Sequence, residues 1–491
     1  MTAKDAACVL AIDLGTSRVK VGVVNEKLEV LSSSAVGYSS LHGEPHMSEQ
    51  RTEDWLGALA LATSEVMSGG SSRHSVAALA LTAQMPTLVS VSGSSVIGNA
   101  VTWQDSRADD LVYDLLTLEE RRRVGEVAGT PIDGRYIVPM HCRRTLDGGY
   151  RPTKVLSAKD YLFFELTGEF ATDPSTASGF GCYDLLAQDW SDELCALWGV
   201  TADLLPRVEK PTFARPLNGS GAALLTGVPE GTPVLIGAAD SVCAHHFVTR
   251  AWPQALSVID GSSTVIMAST EETLTHRGDL LCTPLIEPQH MGAELDLLAT
   301  GSSISWLANL FSTSPRELEE MAVARRDASR GEVLVFPYLA GGEQGALWRS
   351  DLTGAIDGVT LDTDLSDLAL ALYEGVAFET LRCVRLLRTL AATGPVVIVT
   401  AQESRGLVPS LLTMLLQESV IALRRTSPSL LGVALVALSE LGVEVDAASL
   451  RAESEPLIPA ASPTYATMLL ARSRRYFERA PVSSLSFGEE V

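Results

Sequence analysis

The sequence lacks the features that mark several classes of protein. None of its seven cysteines forms a Cys-x-x-Cys pair, which argues against a zinc knuckle and a redox dithiol. An odd number of cysteines without an apolar leader segment favours a reducing compartment, so we expect a cytoplasmic protein. No apolar run is long enough to span a bilayer, because the longest one, near Leu430–Leu438, is interrupted by Gly432.

Positive charge is also scarce. The chain has 37 Lys and Arg residues against 60 Asp and Glu residues, which leaves a formal net charge of -23. This balance argues against polyanionic partners such as nucleic acid or an anionic membrane surface. It does not exclude a nucleotide, because a nucleotide needs only a few local donors and a metal ion.

The remaining composition is that of a folded globular protein, with 46% hydrophobic and 20% charged residues among 491. This length exceeds what one ordinary core accommodates, so we expect about two or three domains. Strand patterns alternate with helix patterns, which is typical of an α/β layer fold. The predicted strands are 8–14, 18–24, 28–36, 76–82, 87–92, 395–400 and 419–424, and the predicted helices are 52–67, 105–123, 154–167, 364–391, 407–417 and 428–441.

The segment Val9–Val24 is the most informative part of the chain. Two runs of aliphatic residues flank a small turn at 15–17, which predicts a strand, a tight turn and a second strand. Asp13 ends the first strand and Lys20 lies on the second. Backbone N–H groups of such a turn approach an anion closely, and a neighbouring carboxylate suits Mg²⁺. Polyphosphate binding is therefore one hypothesis, and an ordinary hairpin is the other.

A second segment, Leu256–Thr270, repeats this pattern. It again reads as a strand, an Ile-Asp pair, a glycine and hydroxyl turn, and a second strand, roughly 250 residues after the first. Two such hairpins predict a duplicated α/β architecture with a cleft between the halves. We place the N-terminal domain at 7–248 and the C-terminal domain at 255–478.

Further motifs follow in a fixed order: Trp103–Arg107, Ser157–Tyr161, Leu166–Gly168, Thr172–Asp173, Pro337–Leu339 and Gly354–Gly375. With the two hairpins they resemble the FGGY family of carbohydrate kinases over about residues 8–475, and their spacing is most similar to that of xylulokinases. The resemblance implies two ribonuclease H-like, or actin-like ATPase, domains with a central cleft. It also implies a sugar kinase that uses ATP and Mg²⁺.

The resemblance assigns the general base to Asp240, which follows the small residues of Ile236–Ala239. From its residues alone this position would be a loop cap, since Asp commonly caps turns. A sugar kinase must deprotonate a hydroxyl, align it with the γ-phosphate and neutralise the spreading negative charge.

The resemblance also implies binding residues. Those for ATP are Gly15, Thr16, Ser17, Lys20, Gly261, Ser262, Ala401 and Gln402, and Asp13 would place Mg²⁺. Those for the sugar are Gln84, Met85, Trp103 and Asp105, together with Asp240. Lys20 is equally explained as an exposed strand residue that protects a sheet edge, and Met85 as a core residue.

The chain departs from the family pattern at several positions. Pro86 replaces a His that contacts sugar in xylulokinases, and Ser241 replaces the polar residue, often Asn, that usually follows the base. Pro139–Cys142 supplies neither the Lys nor the Trp of the first family signature. Thr400–Glu403 replaces a Gly-Gly-Gly-Ala turn that packs against nucleotide, and Glu403 would repel a triphosphate.

We therefore expect an ATP-dependent kinase that phosphorylates a hydroxyl of a pentulose, xylulose-like, or of a related sugar or polyol. The alternative is a catalytically weak homologue that binds a sugar or a partner in a regulatory role. An actin-like or chaperone-like ATPase is disfavoured, because it should not carry the Gly354–Gly375 block. The oligomeric state stays open, with a homodimer as one alternative.

Overall fold

The computed structural model describes residues 8–68, 75–146, 148, 150–271, 279–326, 333–349, 351–390, 393–400, 406–424, 427–446, 451, 455–457 and 462–480. The described residues form two compact units. The first unit comprises those within Met1–Ala251, Thr270–Gly292 and Ser427–Ser449, and the second comprises those within Trp252–Ser269, Ala293–Thr426 and Leu450–Val491.

The strands are β1 (Cys8–Leu14), β2 (Arg18–Val24), β3 (Val30–Gly37), β4 (Glu49–Gln50), β5 (Val76–Ala83), β6 (Thr87–Ser92), β7 (Ser95–Val96), β8 (Ala100–Thr102), β9 (Lys154–Leu156), β10 (Ala171–Thr172), β11 (Tyr183–Asp184), β12 (Asp189–Trp190), β13 (Arg207–Val208), β14 (Ala214–Pro216), β15 (Pro233–Ala239), β16 (Leu256–Asp260), β17 (Thr264–Thr270), β18 (Leu281–Pro284), β19 (Met291–Leu297), β20 (Leu334–Phe336), β21 (Ala355–Asp357), β22 (Val396–Thr400), β23 (Val420–Arg424) and β24 (Glu455–Leu457).

The α-helices are α1 (Thr52–Ser68), α2 (Asp109–Leu115), α3 (Leu118–Ala128), α4 (Ile137–Leu146), α5 (Ala158–Thr167), α6 (Pro174–Ala177), α7 (Asp192–Trp198), α8 (Gly219–Leu224), α9 (Asp240–Ala251), α10 (Gly301–Leu310), α11 (Pro315–Arg325), α12 (Leu365–Arg388), α13 (Leu407–Leu416), α14 (Pro428–Glu440) and α15 (Pro463–Arg479).

The first unit is built on a sheet with the strand order β14-β15-β5-β1-β2-β3. The strands β15, β5 and β1 are parallel, and β1, β2 and β3 form an antiparallel meander. Every residue of β1 is buried because this central strand is covered on both faces. One face packs against α1 and α5 through Trp55 and Leu162. The other face packs against α14, where a Cβ on Gly22 would lie 3.2 Å from Leu430.

Two predicted helix boundaries in this unit are wrong, and local capping explains both. The predicted helix 105–123 is two helices, because Leu116 is extended and Thr117 forms a capping box that starts α3. The predicted helix 154–167 begins only at α5, because Lys154–Leu156 pairs with β6 and Ser157 caps the helix. Its predicted end is confirmed, since Gly168 has a left-handed φ of 83°.

The second unit has a sheet in which β19, β17, β16, β22, β23 and β24 follow one another. The strands β16, β22 and β23 are parallel, and β16 and β17 form the predicted second hairpin. The helix α12 has 24 residues. Neither this helix nor any other within the described ranges is long and apolar enough to cross a membrane.

The Gly354–Gly375 motif is structural in this fold. The carboxylate of Glu374, in α12, is fully buried, forms an ion pair with Arg472 and accepts a hydrogen bond from Tyr465 at 2.7 Å. A Cβ on Gly375 would lie 2.2 Å from the carbonyl oxygen of Val335. The motif therefore holds α12 tightly against β20 and α15.

Candidate functional site

Three parallel strands of the first unit end at the same level. In the observed register, Ala83 of β5 lies opposite both Leu14 of β1 and Ala239 of β15. The residues that follow these strand ends are Gly15, Gln84 and Asp240. Because the carboxyl ends of parallel strands share one sheet edge, three residues that the sequence assigned to phosphate, sugar and catalysis meet there.

Tyr38 forms two hydrogen bonds to the Gly-Thr-Ser turn between β1 and β2. The carbonyl of Gly15 accepts a hydrogen bond from the Tyr38 hydroxyl, and the carbonyl of Ser17 accepts one from the Tyr38 N–H at 3.1 Å. Burial, reinforced by the charge of Asp13, raises the pKa of Tyr38, so its hydroxyl stays protonated as a donor. Within the described part of the chain, the N–H groups of Thr16 and Ser17 donate to no acceptor, which leaves two amides for an anion.

Gln50 connects this turn to the sugar-side residues, and the sequence analysis missed it. Its amide nitrogen donates to the carbonyl of Thr16 at 2.7 Å, and its amide oxygen accepts from the side chains of Trp55 and Gln84, each at 3.0 Å. The amide oxygen of Gln84 is buried and accepts no hydrogen bond from any described residue. No motif marks Gln50, since its role depends on contacts distant in sequence.

Trp103 contacts the turn, and Met85 follows Gln84 in the chain. The indole N–H of Trp103 donates to the hydroxyl of Thr16 at 3.2 Å, and the ring is only partly buried. Met85 is also partly buried and packs against Gly179, where a Cβ would lie 2.7 Å from its terminal methyl group. The Trp103 ring therefore presents some apolar surface beside the turn.

The carboxylate of Asp105 accepts several hydrogen bonds from other residues of the protein. It is 3% exposed, and its carboxylate accepts from the Arg107 guanidinium at 2.6 and 2.9 Å and from the Ser48 N–H at 2.8 Å. Arg107 also forms an ion pair with Glu49 at 2.7 Å. In this structure Asp105 organises the strand β4 and its surroundings; its predicted contact with sugar stays a prediction.

Asp13 is 2% exposed, and one of its two carboxylate oxygens accepts hydrogen bonds from described residues. Its Oδ2 accepts from Lys20 Nζ at 3.3 Å, from the Ser427 hydroxyl at 3.2 Å and from the Ser429 hydroxyl at 2.7 Å. Its Oδ1 accepts from no described residue. Across the described ranges, no cluster of three or more His, Cys, Asp or Glu residues could hold a metal. Mg²⁺ needs no such cluster, because it keeps waters and uses one or two carboxylates together with phosphates.

Asp240 is the first residue of α9, and a bulge in β15 directs the chain towards it. Ile236 and Gly237 stand opposite the single residue Leu81, and Gly237 has a left-handed φ of 66°. A Cβ on Gly237 would lie 1.8 Å from the Leu81 carbonyl oxygen, so only glycine fits. Asp240 itself is partly exposed, and its Oδ1 accepts from the N–H of Ser241 at 2.9 Å.

A buried ionic network supports the end of β15. Lys159 is 1% exposed and lies 3.0 Å from Asp173 and 3.3 Å from Asp160. Burial alone would lower the pKa of Lys159, but the two carboxylates outweigh it and raise this pKa. Asp173 accepts from the Ser175 hydroxyl, which in turn accepts from the N–H of Ala239 at 2.9 Å. The network therefore anchors the residue next to Asp240.

The hairpin of the second unit has a shorter turn and a different charge beside it. Gly261 N–H donates to the carbonyl of Ser263, two residues ahead, at 2.9 Å, whereas Gly15 N–H donates to the carbonyl of Arg18, three residues ahead, at 3.1 Å. Burial, reinforced by the charge of Glu319, raises the pKa of Asp260 to about 7, whereas Asp13 is paired with Lys20.

The turn of this second hairpin packs against the start of α10. The carbonyl of Ser262 accepts from the N–H groups of Thr300 at 3.3 Å and Ser302 at 3.0 Å. A Cβ on Gly301 would lie 2.1 Å from the Gly261 carbonyl oxygen. The predicted phosphate role of Gly261 and Ser262 stays a prediction. Two other predicted ATP residues, Ala401 and Gln402, lie outside the described residues.

The fold is that of a two-domain kinase of the actin-like, ribonuclease H-like class. Residues 8–246 match the N-terminal domain of the FGGY family of carbohydrate kinases, and residues 256–440 match its C-terminal domain. The chain belongs to this family, whose members are phosphotransferases with an alcohol group as acceptor. The predicted family and fold class are thereby confirmed.

Relatives in the family are named as kinases of different substrates. The chain is 25% identical to a gluconokinase of Bacillus licheniformis over 79% of this chain and 78% of the relative. It is 28% identical to a xylulose kinase of Escherichia coli over 75% of this chain and 76% of the relative, and other relatives are named glycerol kinase. The fold matches a gluconate kinase from Lactobacillus acidophilus with a TM-score of 0.82 and 19% identity, over 96% of this chain and 97% of that one.

Proposed function

We propose that this FGGY kinase transfers the γ-phosphoryl group of ATP to a hydroxyl of a pentulose such as xylulose, or of a related sugar or polyol. The observation that carries the proposal is the common level of three strand ends, which places the Gly15 turn, Gln84 and Asp240 at one sheet edge. Phosphoryl transfer depends mainly on positioning and on charge stabilisation, and this edge offers groups for both.

Asp240 is the proposed general base. Its carboxylate would accept the proton of the attacking hydroxyl, which requires access to the ligand, and Asp240 is partly exposed. The Gly237 bulge and the hydrogen bond from Ala239 N–H to Ser175 limit how far this end of the strand moves. These contacts support a carboxylate held at a defined place.

The Gly15 turn and Asp13 are the proposed phosphate and Mg²⁺ ligands. Thr16 and Ser17 have N–H groups that donate to no described residue, which suits phosphate oxygens. Asp13 Oδ1 is a hard oxygen ligand that no described residue engages, which suits Mg²⁺ or one of its waters. When bound, Mg²⁺ would neutralise part of the phosphate charge.

The sugar-side residues favour a neutral acceptor. Gln84 Oε1 is a buried acceptor that no described residue satisfies, and a sugar hydroxyl that reached it would supply the missing donor. Trp103 and Met85 are partly exposed and would offer apolar surface to the C–H faces of a sugar. Lys20 and Arg107 are each paired with a carboxylate of the protein. A substrate carboxylate would have to compete with these partners for either cation.

A panel of acceptors tests this proposal. ADP release would be coupled to a spectrophotometric readout with ATP, Mg²⁺ and millimolar xylulose, ribulose, gluconate, glycerol or erythritol. We expect turnover with a ketose or polyol and less with gluconate; turnover with none of them would contradict the proposal. The alternative is a catalytically weak homologue, and it rests on the sequence Thr400–Glu403. Calorimetric titration with Mg·ATP distinguishes it from an active kinase, because such a homologue would not bind nucleotide.

A further inference from the structure

We propose that Ser427 and Ser429 are positioning residues that hold the Asp13 carboxylate for Mg·ATP. The inference rests on the proposed role of Asp13 and adds residues to that site. The two serines lie 414 and 416 positions after Asp13, yet both hydroxyls donate to it. The sequence contains no motif that links these positions.

The three hydrogen bonds to the Asp13 carboxylate all reach the same oxygen, Oδ2. Ser429 Oγ lies 2.7 Å from Asp13 Oδ2, Ser427 Oγ lies 3.2 Å from it, and Lys20 Nζ lies 3.3 Å from the same oxygen. Hydrogen bonds to a charged acceptor are stronger than neutral ones. Three donors on Oδ2 fix the rotation of the carboxylate, and Oδ1 is then the oxygen that faces an incoming ligand.

Ser427 is placed for this role rather than for helix capping. It is the N-cap residue of α14, yet its side chain makes no capping hydrogen bond. Serine at this position usually accepts from the N–H of the second or third helical residue. Here its hydroxyl donates to Asp13, and the positive end of the helix dipole stabilises the nearby carboxylate charge.

The helix α14 is itself held firmly. A Cβ on Gly432 would lie 1.8 Å from the carbonyl oxygen of Cys243, so α14 and α9 approach at backbone distance. The first residue of α9 is Asp240. One helix pair therefore fixes both proposed carboxylates, Asp13 through two hydroxyls and Asp240 through the position of α9.

Binding of nucleotide with and without metal tests the inference. Calorimetric titrations would compare the wild type with Ser427→Ala/Ser429→Ala, with Ser429→Thr and with Asp13→Asn. The matched control is Ser439→Ala, at an exposed serine of the same helix. We expect the double alanine variant to weaken Mg·ATP binding about tenfold while leaving ATP binding in EDTA unchanged. Ser429→Thr, which keeps the hydroxyl, and Ser439→Ala should bind as the wild type does.

The outcomes separate this inference from the proposed function. Wild-type affinity in the double alanine variant, with weaker binding in Asp13→Asn, would refute the positioning role and leave the role of Asp13 intact. Wild-type affinity in Asp13→Asn would refute both, and so would a wild type that does not bind Mg·ATP. If the double variant fails to fold, Ser427→Ala carries the test, because it removes one of three donors and no helix cap; about a threefold weakening is then expected.

Discussion

The indole Nε1–H of Trp103 donates a hydrogen bond to the hydroxyl of Thr16, with 3.2 Å between the two heavy atoms. This bond joins a residue predicted to contact sugar with a residue predicted to contact phosphate. The two residues are 87 positions apart. The orientation of the Thr16 side chain in the turn therefore depends on a ring from the sugar side.

Replacing Trp103 with Phe should lower kcat/KM about three- to tenfold, because it removes one hydrogen bond while keeping most of the aromatic surface. Steady-state ADP-release assays measure the effect. Trp190→Phe is the matched control, since it also removes an indole hydrogen bond, to the Pro206 carbonyl at 2.7 Å, but in a contact not assigned to the site. Equal kinetic losses in both variants would show that the Trp103 contact has no special role.

Replacing Gly237 with Ala should destabilise the first unit by about 3 kcal/mol or more, because the new Cβ would lie 1.8 Å from the Leu81 carbonyl oxygen at a left-handed φ. Gly57→Ala, in α1, is the control: its Cβ meets nothing within 4 Å, and it should stabilise the helix by up to about 1 kcal/mol. Thermal or urea unfolding followed by circular dichroism distinguishes the two. A Gly237→Ala protein as stable as Gly57→Ala would disprove the account of the bulge.

His141 should make the protein less stable in acid. Burial lowers its pKa from 6.5 to about 4, so the unfolded chain binds a proton more readily than the folded one. Its contribution to stability is therefore complete above pH 6.5 and is lost as the pH falls from 6.5 towards 4. His141→Gln should reduce the loss of unfolding free energy between pH 7 and pH 4.5 by about 2 kcal/mol, measured by urea unfolding at each pH. If the unfolding free energy of His141→Gln depended on pH as that of the wild type does, the lowered pKa of His141 would be contradicted.

Much of the fold was predictable from local pattern. The strands of both hairpins and the strand and helix pairs near the C-terminus follow from runs of aliphatic residues between turn signals, and they are confirmed. The break between α2 and α3 was not predicted, because the capping box of Thr117 and Glu120 lies inside a continuous polar helical pattern. The buried packing of Glu374 could not be read from the motif itself, since its partner Arg472 is distant in sequence.

The candidate site was predictable only in part. Asp13 lies near the end of one strand pattern and Gln84 follows another, and resemblance to a family assigned their roles and that of Asp240. Gln50 and Ser429 carry no such signal, because their roles arise from contacts that form only when distant segments fold together. The assignments of individual residues remain predictions that the variants above address.

The most direct test of the central claim is the turnover number of Asp240→Asn with the acceptor that the wild type phosphorylates best. Amide for carboxylate keeps the shape and removes the base, so we expect kcat to fall about 10²- to 10⁴-fold. The dissociation constant of the acceptor, measured by calorimetry, should stay within about threefold, and Asp114→Asn, at an exposed carboxylate, should match the wild type. A wild-type kcat in Asp240→Asn would contradict the account.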